Sequence, residues 1–262
     1  MKPEIGFVSQ LATKDILDDI GFAAESGFDW FEIGLDWKQN YNLRPETSKK
    51  IREISREHDL KLVVHTPFYL PTSAMLPEIR EGLLKYAGKA AAFAKGVGAD
   101  RITIHPGFRE MPAPAKDLCY ESLIENLRMI VRIGKEHGVK ICLENFDKSP
   151  HNLCVEMEDF LRVLNSVRGI KATLDVGHAN TSKTKPHEYF SAVKGFVMNM
   201  HIHDNDGKRD EHKCPDEGNI DFRKLLSECK RAKYSGPFML ELFPYENALK
   251  GRKRFLEQWE KS

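Results

Sequence analysis

Short apolar runs alternate with longer segments of helical pattern along almost the whole chain, and this alternation restricts the fold more than any other feature. Most runs are rich in Ile, Val, Leu or Phe, as expected for strands that are buried on both faces. Their starts lie roughly 25 to 40 residues apart, which is about the length of one strand–helix unit. Eight runs are predicted as strands: Ile5–Ser9, Trp30–Leu35, Leu62–His65, Arg101–His105, Val139–Glu144, Ala172–Asp175, Phe196–His201 and Phe238–Glu241.

Helical periodicity fills the segments between these runs. It is clearest in Thr13–Ser26, Leu83–Gly96 and Glu121–His137, which carry apolar residues or alanines at helical spacing. Several helical segments end in a glycine, which readily takes the left-handed conformation that stops a helix. The clearest examples are Gly27, Gly98 and Gly138. Such regular alternation predicts a parallel sheet with right-handed crossovers.

Eight strand–helix units predict an α/β protein with a single (β/α)8 TIM barrel. The chain has 262 residues, and this fold typically needs ~250. An open, doubly wound sheet is the structural alternative. No low-complexity linker divides the chain, so residues 1–262 are predicted to form one domain.

The composition excludes several classes of protein. Lys and Arg number 40 against 39 Asp and Glu, and the net charge of +1 does not indicate a strongly basic nucleic-acid binder. No apolar run reaches the ~18 residues of a membrane span, and the amino terminus lacks the apolar core of a signal peptide. The five cysteines are scattered without C-x-x-C spacing. A cytoplasmic protein without a disulfide framework is therefore expected.

Six consecutive predicted strands, from the third to the eighth, each finish in a side chain that can bind a metal ion. These residues are His65, His105, Glu144, Asp175, His201 and Glu241. The carboxyl ends of the strands meet on one face of a barrel, where the active sites of this fold lie. Six such ends in succession predict a metal centre. Mixed imidazole and carboxylate ligands suit Zn, Mn, Co or Fe better than Ca or Mg.

Further candidate ligands lie in the loops that follow these strands. His178 comes three residues after Asp175, where the loop can return it to the same face. Asp210 and His212 lie in the loop after the seventh strand. His203 has the same strand parity as His201 and would face the same side. Either histidine could be a ligand, and we favour His201 because the chain is still extended there.

The motifs at these strand ends resemble those of the xylose isomerase-like TIM-barrel superfamily. They are His65-Thr66-Pro67-Phe68, His105-Pro106-Gly107, Glu144-Asn145, Leu174-Asp175-Val176-Gly177-His178, His201-Ile202-His203-Asp204 and Leu240-Glu241. The motifs occur in the family's order, and the resemblance spans almost the whole chain. The superfamily includes sugar isomerases and epimerases, proteins of the inosose isomerase and dehydratase type, and endonuclease IV. One such barrel supports many reactions, so the resemblance implies a fold more firmly than an activity.

The resemblance implies two alternative metal layouts. In the isomerases and epimerases, four strand-end residues hold one ion, and a histidine matching His178 contacts the substrate. The matching ligands here are Glu144, Asp175, His201 and Glu241. This layout leaves His65, His105 and His203 to bind the substrate. The ketose epimerases also use a second glutamate a few residues beyond the fifth-strand ligand, and Pro150 stands at that position here.

In the second layout, that of endonuclease IV, nine residues hold three zinc ions, and each of them has a counterpart in this chain. The counterparts are His65, His105 and Glu144 for the first ion, Glu144, Asp175, His201 and Glu241 for the second, and His178, Asp210 and His212 for the third. The loops that follow the third and fifth strands differ from those of endonuclease IV. A net charge near zero also disfavours DNA, whose backbone is bound through several Lys or Arg contacts.

We therefore predict an isomerase or epimerase of a small sugar, sugar phosphate or cyclitol that works through a metal-stabilised enediolate. It would use one to three divalent ions, with Zn, Mn or Co preferred over Mg. By the resemblance, Glu144 or Glu241 would move the proton at carbon, His178 would stabilise a substrate oxygen, and Lys208 or Arg209 would meet a phosphate or carboxylate of the substrate.

The alternative function is an endonuclease IV-like zinc phosphodiesterase that acts on abasic DNA, and nucleic acid is expected as a partner only in that case. A non-catalytic binding barrel has no support, because the ligand set is complete. No membrane partner is expected, and a homo-oligomer is left open.

Overall fold

Eight parallel strands close into a barrel in the computed structural model, which describes residues 2–10, 15–36, 45–109, 111–112 and 115–262. Each strand pairs with the next in chain order, and β1 also pairs with β8. The strands are β1 (Ile5–Val8), β2 (Trp30–Gly34), β3 (Lys61–His65), β4 (Arg101–Ile104), β5 (Lys140–Glu144), β6 (Lys171–Asp175), β7 (Val197–Ile202) and β8 (Phe238–Leu240). The predicted (β/α)8 barrel is confirmed, and the open doubly wound sheet is wrong.

Helices follow the strands and pack around the barrel. They are α1 (Ile16–Glu25), α2 (Pro45–Glu57), α3 (Pro77–Val97), α4 (Lys116–His137), α5 (Met157–Ser166), α6 (Val176–Thr181), α7 (Pro186–Val193), α8 (Phe222–Arg231) and α9 (Tyr245–Lys261). The beginning of the predicted first helix, residues 13 and 14, lies outside the described residues. Helix α3 begins before the predicted Leu83 because its first turn is largely exposed, and exposed residues carry no apolar periodicity.

Left-handed glycines end the helices where the sequence predicted them. Gly98 and Gly138 follow α3 and α4 with φ of 93° and 75°, and Gly27 follows α1 with φ of 69°. At each of the first two glycines, the backbone N–H donates to carbonyls in the last turn of the helix. These turns return the chain to the amino end of the next strand, so every strand enters the barrel in the same direction.

The interior of the barrel divides into an apolar part and a polar part. Val8, Trp30, Val63 and Met239 form the apolar part, and the Met239 side chain occupies the space that a Cβ on Gly6 would need. The polar part contains Glu32, Thr103, Thr173 and Asn199, all fully buried. The last three lie two residues before a strand-end candidate ligand, on the same face of their strands. The polar part therefore forms a layer below the predicted site.

Two further features concern the cysteines and the apolar character of the helices. All five cysteines are buried and free. Among the described helices, none combines the length and apolar character needed to cross a bilayer.

Candidate functional site

Four of the predicted ligands converge where the last four strands end. Glu144 and Asp175 end β5 and β6, His201 lies in β7, and Glu241 directly follows β8. Each offers a ligand atom, and these four atoms lie within 4.8 Å of one another. Nδ1 of His201 is at the centre, 3.0 Å from Oε1 of Glu144 and 3.1 Å from Oε2 of Glu241. These are the four residues that the one-ion layout requires.

The chemistry of this group fits a divalent cation. Three carboxylates and one imidazole lie together, and carboxylates so close repel one another unless a positive charge lies between them. None of the described residues that line the adjoining cavity is a Lys or an Arg. Carboxylate and imidazole donors suit Mn, Co and Zn. The four residues could therefore hold one such ion.

Mutual charge shifts the pKa values within the group. Burial alone would raise the pKa of Glu144, but the positive charge of His201 holds it well below its usual value. Burial would also raise the pKa of Glu241, which a hydrogen bond from His201 lowers instead. For His201, burial is outweighed by the charges of Glu144 and Glu32, which raise its pKa well above the usual value. Glu144 and Glu241 are therefore ionised at neutral pH.

His65 and His105 lie on the other side of Glu144. Their Nε2 atoms are 3.1 and 3.4 Å from Oε2 of Glu144, and the three residues form a second group of candidate ligands. Burial lowers the pKa of His105 to about 4. Burial acts the same way on His65, but the hydrogen bond with Glu144 and its charge raise that pKa to about 10. The structure thus brings together the set predicted for a first zinc ion.

The third predicted set meets at the carboxylate of Asp210. Oδ2 of Asp210 is 2.9 Å from Nε2 of His212 and 3.4 Å from Nε2 of His178. Nδ1 of His178 donates to the carbonyl of Asn145 at 2.9 Å, which leaves Nε2 for Asp210 or a ligand. His178, Asp210 and His212 all line the cavity.

His203, which the sequence left open, is fully buried between two carboxylates. Its Nε2 is 3.1 Å from both carboxylate oxygens of Asp175 and 3.5 Å from Oδ1 of Asp210. Its ring lies where a Cβ on Gly177 would be, so this position must remain a glycine. His203 therefore links the central group to the outer one.

Lys208 and Arg209, the predicted anion-binding residues, lie away from the other site residues. The Lys208 side chain is 81% exposed and pairs with Asp206 at 3.6 Å. Arg209 is also exposed, and neither residue is among those that line the cavity. The structure does not bring these two side chains to the strand ends.

A cavity of about 330 Å³ opens over the strand ends, within the size range of small-molecule sites. Glu144 and Glu241 line it, together with the rings of Phe68, Phe146 and Phe243. Asp175 and His201, in contrast, are fully buried below it. The cavity can therefore present the carboxylates of two candidate ligands and three aromatic faces to a small polar molecule.

Three acidic residues of this region escaped the sequence analysis. Asp36 follows β2 and Asp147 lies in the loop after β5; both line the cavity, and burial raises the pKa of each. Glu32 lies inside β2 and contacts His201. Pro150, which stands at the position of the second glutamate of the ketose epimerases, is exposed. Asp147, three residues earlier in the same loop, presents a carboxylate to the cavity instead.

Comparison with known proteins agrees with the strand-end motifs. Residues 20–259 match the family described as xylose isomerase-like TIM barrel, and the chain belongs to this family. An uncharacterized protein of Methanocaldococcus jannaschii is 29% identical over 89% of this chain and 82% of its own length. Fructoselysine 3-epimerase of Escherichia coli O157:H7 is 24% identical over 84% of this chain and 82% of its own length. The predicted superfamily is confirmed.

Solved structures give the same result. A D-tagatose 3-epimerase-like protein superposes with a TM-score of 0.87 and 26% identity, covering 98% of both chains. D-psicose 3-epimerase from Clostridium cellulolyticum H10 superposes with a TM-score of 0.78 over 98% of this chain and 96% of its own. The sequence identity to this second structure is 15%, so the match concerns the fold alone. Sugar epimerases thus recur among the relatives and structural neighbours of the chain.

Proposed function

We propose that the protein is an epimerase or isomerase of a small sugar, and that it depends on a divalent cation held by Glu144, Asp175, His201 and Glu241. One observation carries the proposal: of these four ligands, Glu144 and Glu241 also line the cavity. They can therefore reach a substrate, whereas Asp175 and His201 are not among the residues that line the cavity. The likeness to fructoselysine 3-epimerase and to the D-tagatose 3-epimerase-like structure supports a sugar as the substrate.

When bound, the cation supplies a Lewis acid that polarises the sugar carbonyl and its neighbouring hydroxyl and offsets several kcal/mol of developing negative charge. Glu144 and Glu241 supply the proton transfer. In an epimerisation, one carboxylate takes the proton from the carbon beside the carbonyl, and the other, once protonated from solvent, returns a proton to the opposite face of the same carbon. In an isomerisation, the proton goes instead to the neighbouring carbonyl carbon while the hydroxyl proton moves to the carbonyl oxygen. Two carboxylates at one site provide both roles without a further base.

The remaining lining residues bind and orient the sugar. Nδ1 of His178 donates to the Asn145 carbonyl. Burial lowers the pKa of His178, but the charges of Asp175 and Asp210 raise it well above its usual value. The protonated ring can therefore also donate from Nε2 to a substrate oxygen. Asp36 and Asp147 can accept hydrogen bonds from sugar hydroxyls. The described lining contains several carboxylates and neither Lys nor Arg. The negative charge of these carboxylates favours an unphosphorylated sugar over a sugar phosphate or sugar acid.

Exchange of solvent deuterium into sugars tests the proposal directly. The protein is incubated in D2O with a panel of ketoses and keto-cyclitols, with Mn or Co added or removed by EDTA. We expect deuterium at one carbon of at least one sugar, in the presence of the ion and not after its removal. Failure of every sugar to exchange under metal-loaded conditions would contradict the proposal.

A zinc phosphodiesterase acting on abasic DNA is the second candidate, because all three ligand sets of the endonuclease IV layout lie at the strand ends. Metal analysis separates the two functions. About one ion per chain supports the epimerase, whereas three zinc ions together with nicking of an abasic duplex support the nuclease. The cavity favours the first outcome, since its lining has several carboxylates and, among the described residues, no Lys or Arg to bind a phosphate backbone.

A further inference from the structure

A buried carboxylate below the candidate metal centre takes no part in the proposed chemistry. Glu32 lies in β2 and is fully buried. Its Oε2 is 3.0 Å from Nε2 of His201 and accepts a hydrogen bond from Nδ2 of Asn199 at 3.1 Å. Its other oxygen, Oε1, has no hydrogen-bond partner among the residues that the structure describes. Burying such a group is costly, and its presence calls for a reason.

Packing does not supply that reason. Glu32 is paired in register with Val8 and Val63, two residues of the apolar part of the barrel interior. A branched apolar side chain would fill the same space without a charge to desolvate. Strand β2 is also not a neighbour of β7 in the barrel. The Glu32 side chain therefore reaches across the interior to His201.

The two nitrogens of His201 face different groups. Nδ1 faces Glu144, Glu241 and Asp175 at 3.0, 3.1 and 3.7 Å. Nε2 faces Glu32. A neutral imidazole carries one proton, and a carboxylate can only accept it. With Glu32 at Nε2, the single proton of the neutral ring belongs on that nitrogen. Nδ1 then has a free lone pair for a cation once it gives up the proton that it shares with the carboxylates in the metal-free protein.

We propose that Glu32 is the positioning residue of the metal centre: by accepting the Nε2 proton of His201, it fixes the tautomer and the orientation of this ligand. The inference rests on the metal centre of the proposed function. A carboxylate behind a ligand histidine also makes the imidazole a stronger donor, and loss of such a partner typically weakens metal binding 10- to 100-fold. Glu32 is not among the four candidate ligands or the residues that line the cavity, so it would act only through His201.

The test compares metal binding by the whole protein with two substitutions and one control. Glu32→Gln keeps the shape but not the charge, and Glu32→Leu removes the acceptor. Thr173→Val removes a buried hydrogen bond from the same layer, that between Thr173 and Thr103, without touching His201. The dissociation constants of Mn2+ and Co2+ are measured by calorimetry, and the Co2+ absorption bands report the ligand field.

We expect Glu32→Gln to weaken binding about 10-fold and Glu32→Leu about 100-fold, with shifted Co2+ bands, while Thr173→Val matches the wild type. A purely structural role predicts a lower melting temperature with unchanged affinity and bands, and that result would overturn the inference. Glu32→Gln answers the question by itself if Glu32→Leu does not fold. Absence of binding by the wild type would refute the metal centre as well, whereas equal binding by wild type and variants would refute only the role of Glu32.

Discussion

Charged side chains gather at both ends of the barrel, but their partners differ. At the amino end, Lys61 pairs with Glu4 at 2.7 Å, and Arg101 pairs with Asp100 at 2.7 Å while its guanidinium lies 4.6 Å from the centre of the Trp30 ring. Every acid in this group meets a Lys or an Arg. At the carboxyl end, the carboxylates of the cavity meet imidazoles, amides and one another.

This difference in charge pairing indicates that the amino end contributes stability and the carboxyl end contributes binding and catalysis. The pairs Lys61–Glu4 and Arg101–Asp100 balance their own charges, as expected for the face of a TIM barrel that contributes stability. At the carboxyl end, the described cavity lining has no Lys or Arg, and its carboxylates meet only imidazoles as cationic partners. A cation or a ligand from outside the chain is therefore favoured there. Substitutions at the two ends should therefore have opposite signatures: stability should change at one end, and metal binding and turnover at the other.

The largest effect is expected at Glu241. Glu241→Gln removes both a ligand and a candidate base, and loss of one acid–base group typically costs 10²- to 10⁴-fold. We expect kcat for deuterium exchange to fall about 10³-fold while the circular dichroism spectrum is retained. Glu211→Gln is the matched control, since Glu211 pairs with Lys213 at 2.7 Å outside the cavity lining. If Glu241→Gln retained the wild-type kcat, Glu241 would not be the base of the reaction.

Metal addition should stabilise the protein through the carboxyl end. An ion at 100 times its dissociation constant adds about 2.7 kcal/mol to the free energy of unfolding, so Mn2+ should raise the melting temperature of the metal-free protein. His201→Ala should abolish the rise, and Lys61→Met, at the amino end, should retain it. Scanning calorimetry with and without EDTA measures both, and an equal rise in His201→Ala would place the ion elsewhere.

The opposite signature is expected at Arg101. This side chain is buried, donates to the Met198 carbonyl across the barrel, and stacks on Trp30. Arg101→Met leaves that carbonyl unpaired, and we expect a loss of about 2 kcal/mol in the free energy of unfolding. Urea denaturation measures the loss. Mn2+ affinity should stay at the wild-type value, and a parallel loss of affinity would show that the two ends are coupled.

The fold was largely predictable because its signals are local. Each predicted strand boundary lies within one residue of the observed one, since the apolar runs and the stopping glycines mark where a strand can begin. The start of α4 was less predictable. It begins at Lys116, before the predicted Glu121, because an apolar stripe reports the face a helix buries and not how far the helix extends beyond it.

The site was predictable where it depends on strand ends and less so where it depends on barrel closure. Six successive ligand-type residues at strand ends had to share one face in a parallel barrel. Glu32 gave a weaker signal, a single carboxylate inside the apolar run Trp30–Leu35. Only the closed barrel brings β2 opposite β7 and so turns that carboxylate towards His201.

The smallest effect is expected at Lys208, whose charge the sequence assigned to a substrate phosphate or carboxylate. Its exposed pair with Asp206 is of a kind worth at most about 1 kcal/mol, so Lys208→Ala should leave the melting temperature almost unchanged. If the substrate is an unphosphorylated sugar, KM should also stay within about twofold, because one exposed charge outside the cavity contributes little to binding a neutral molecule. Steady-state kinetics on the sugar identified by deuterium exchange measures this. If KM rose tenfold or more for a phosphorylated sugar, but not for its unphosphorylated form, Lys208 would be shown to bind the substrate phosphate. The loops at the carboxyl end would then supply part of the positive charge that its carboxylates need.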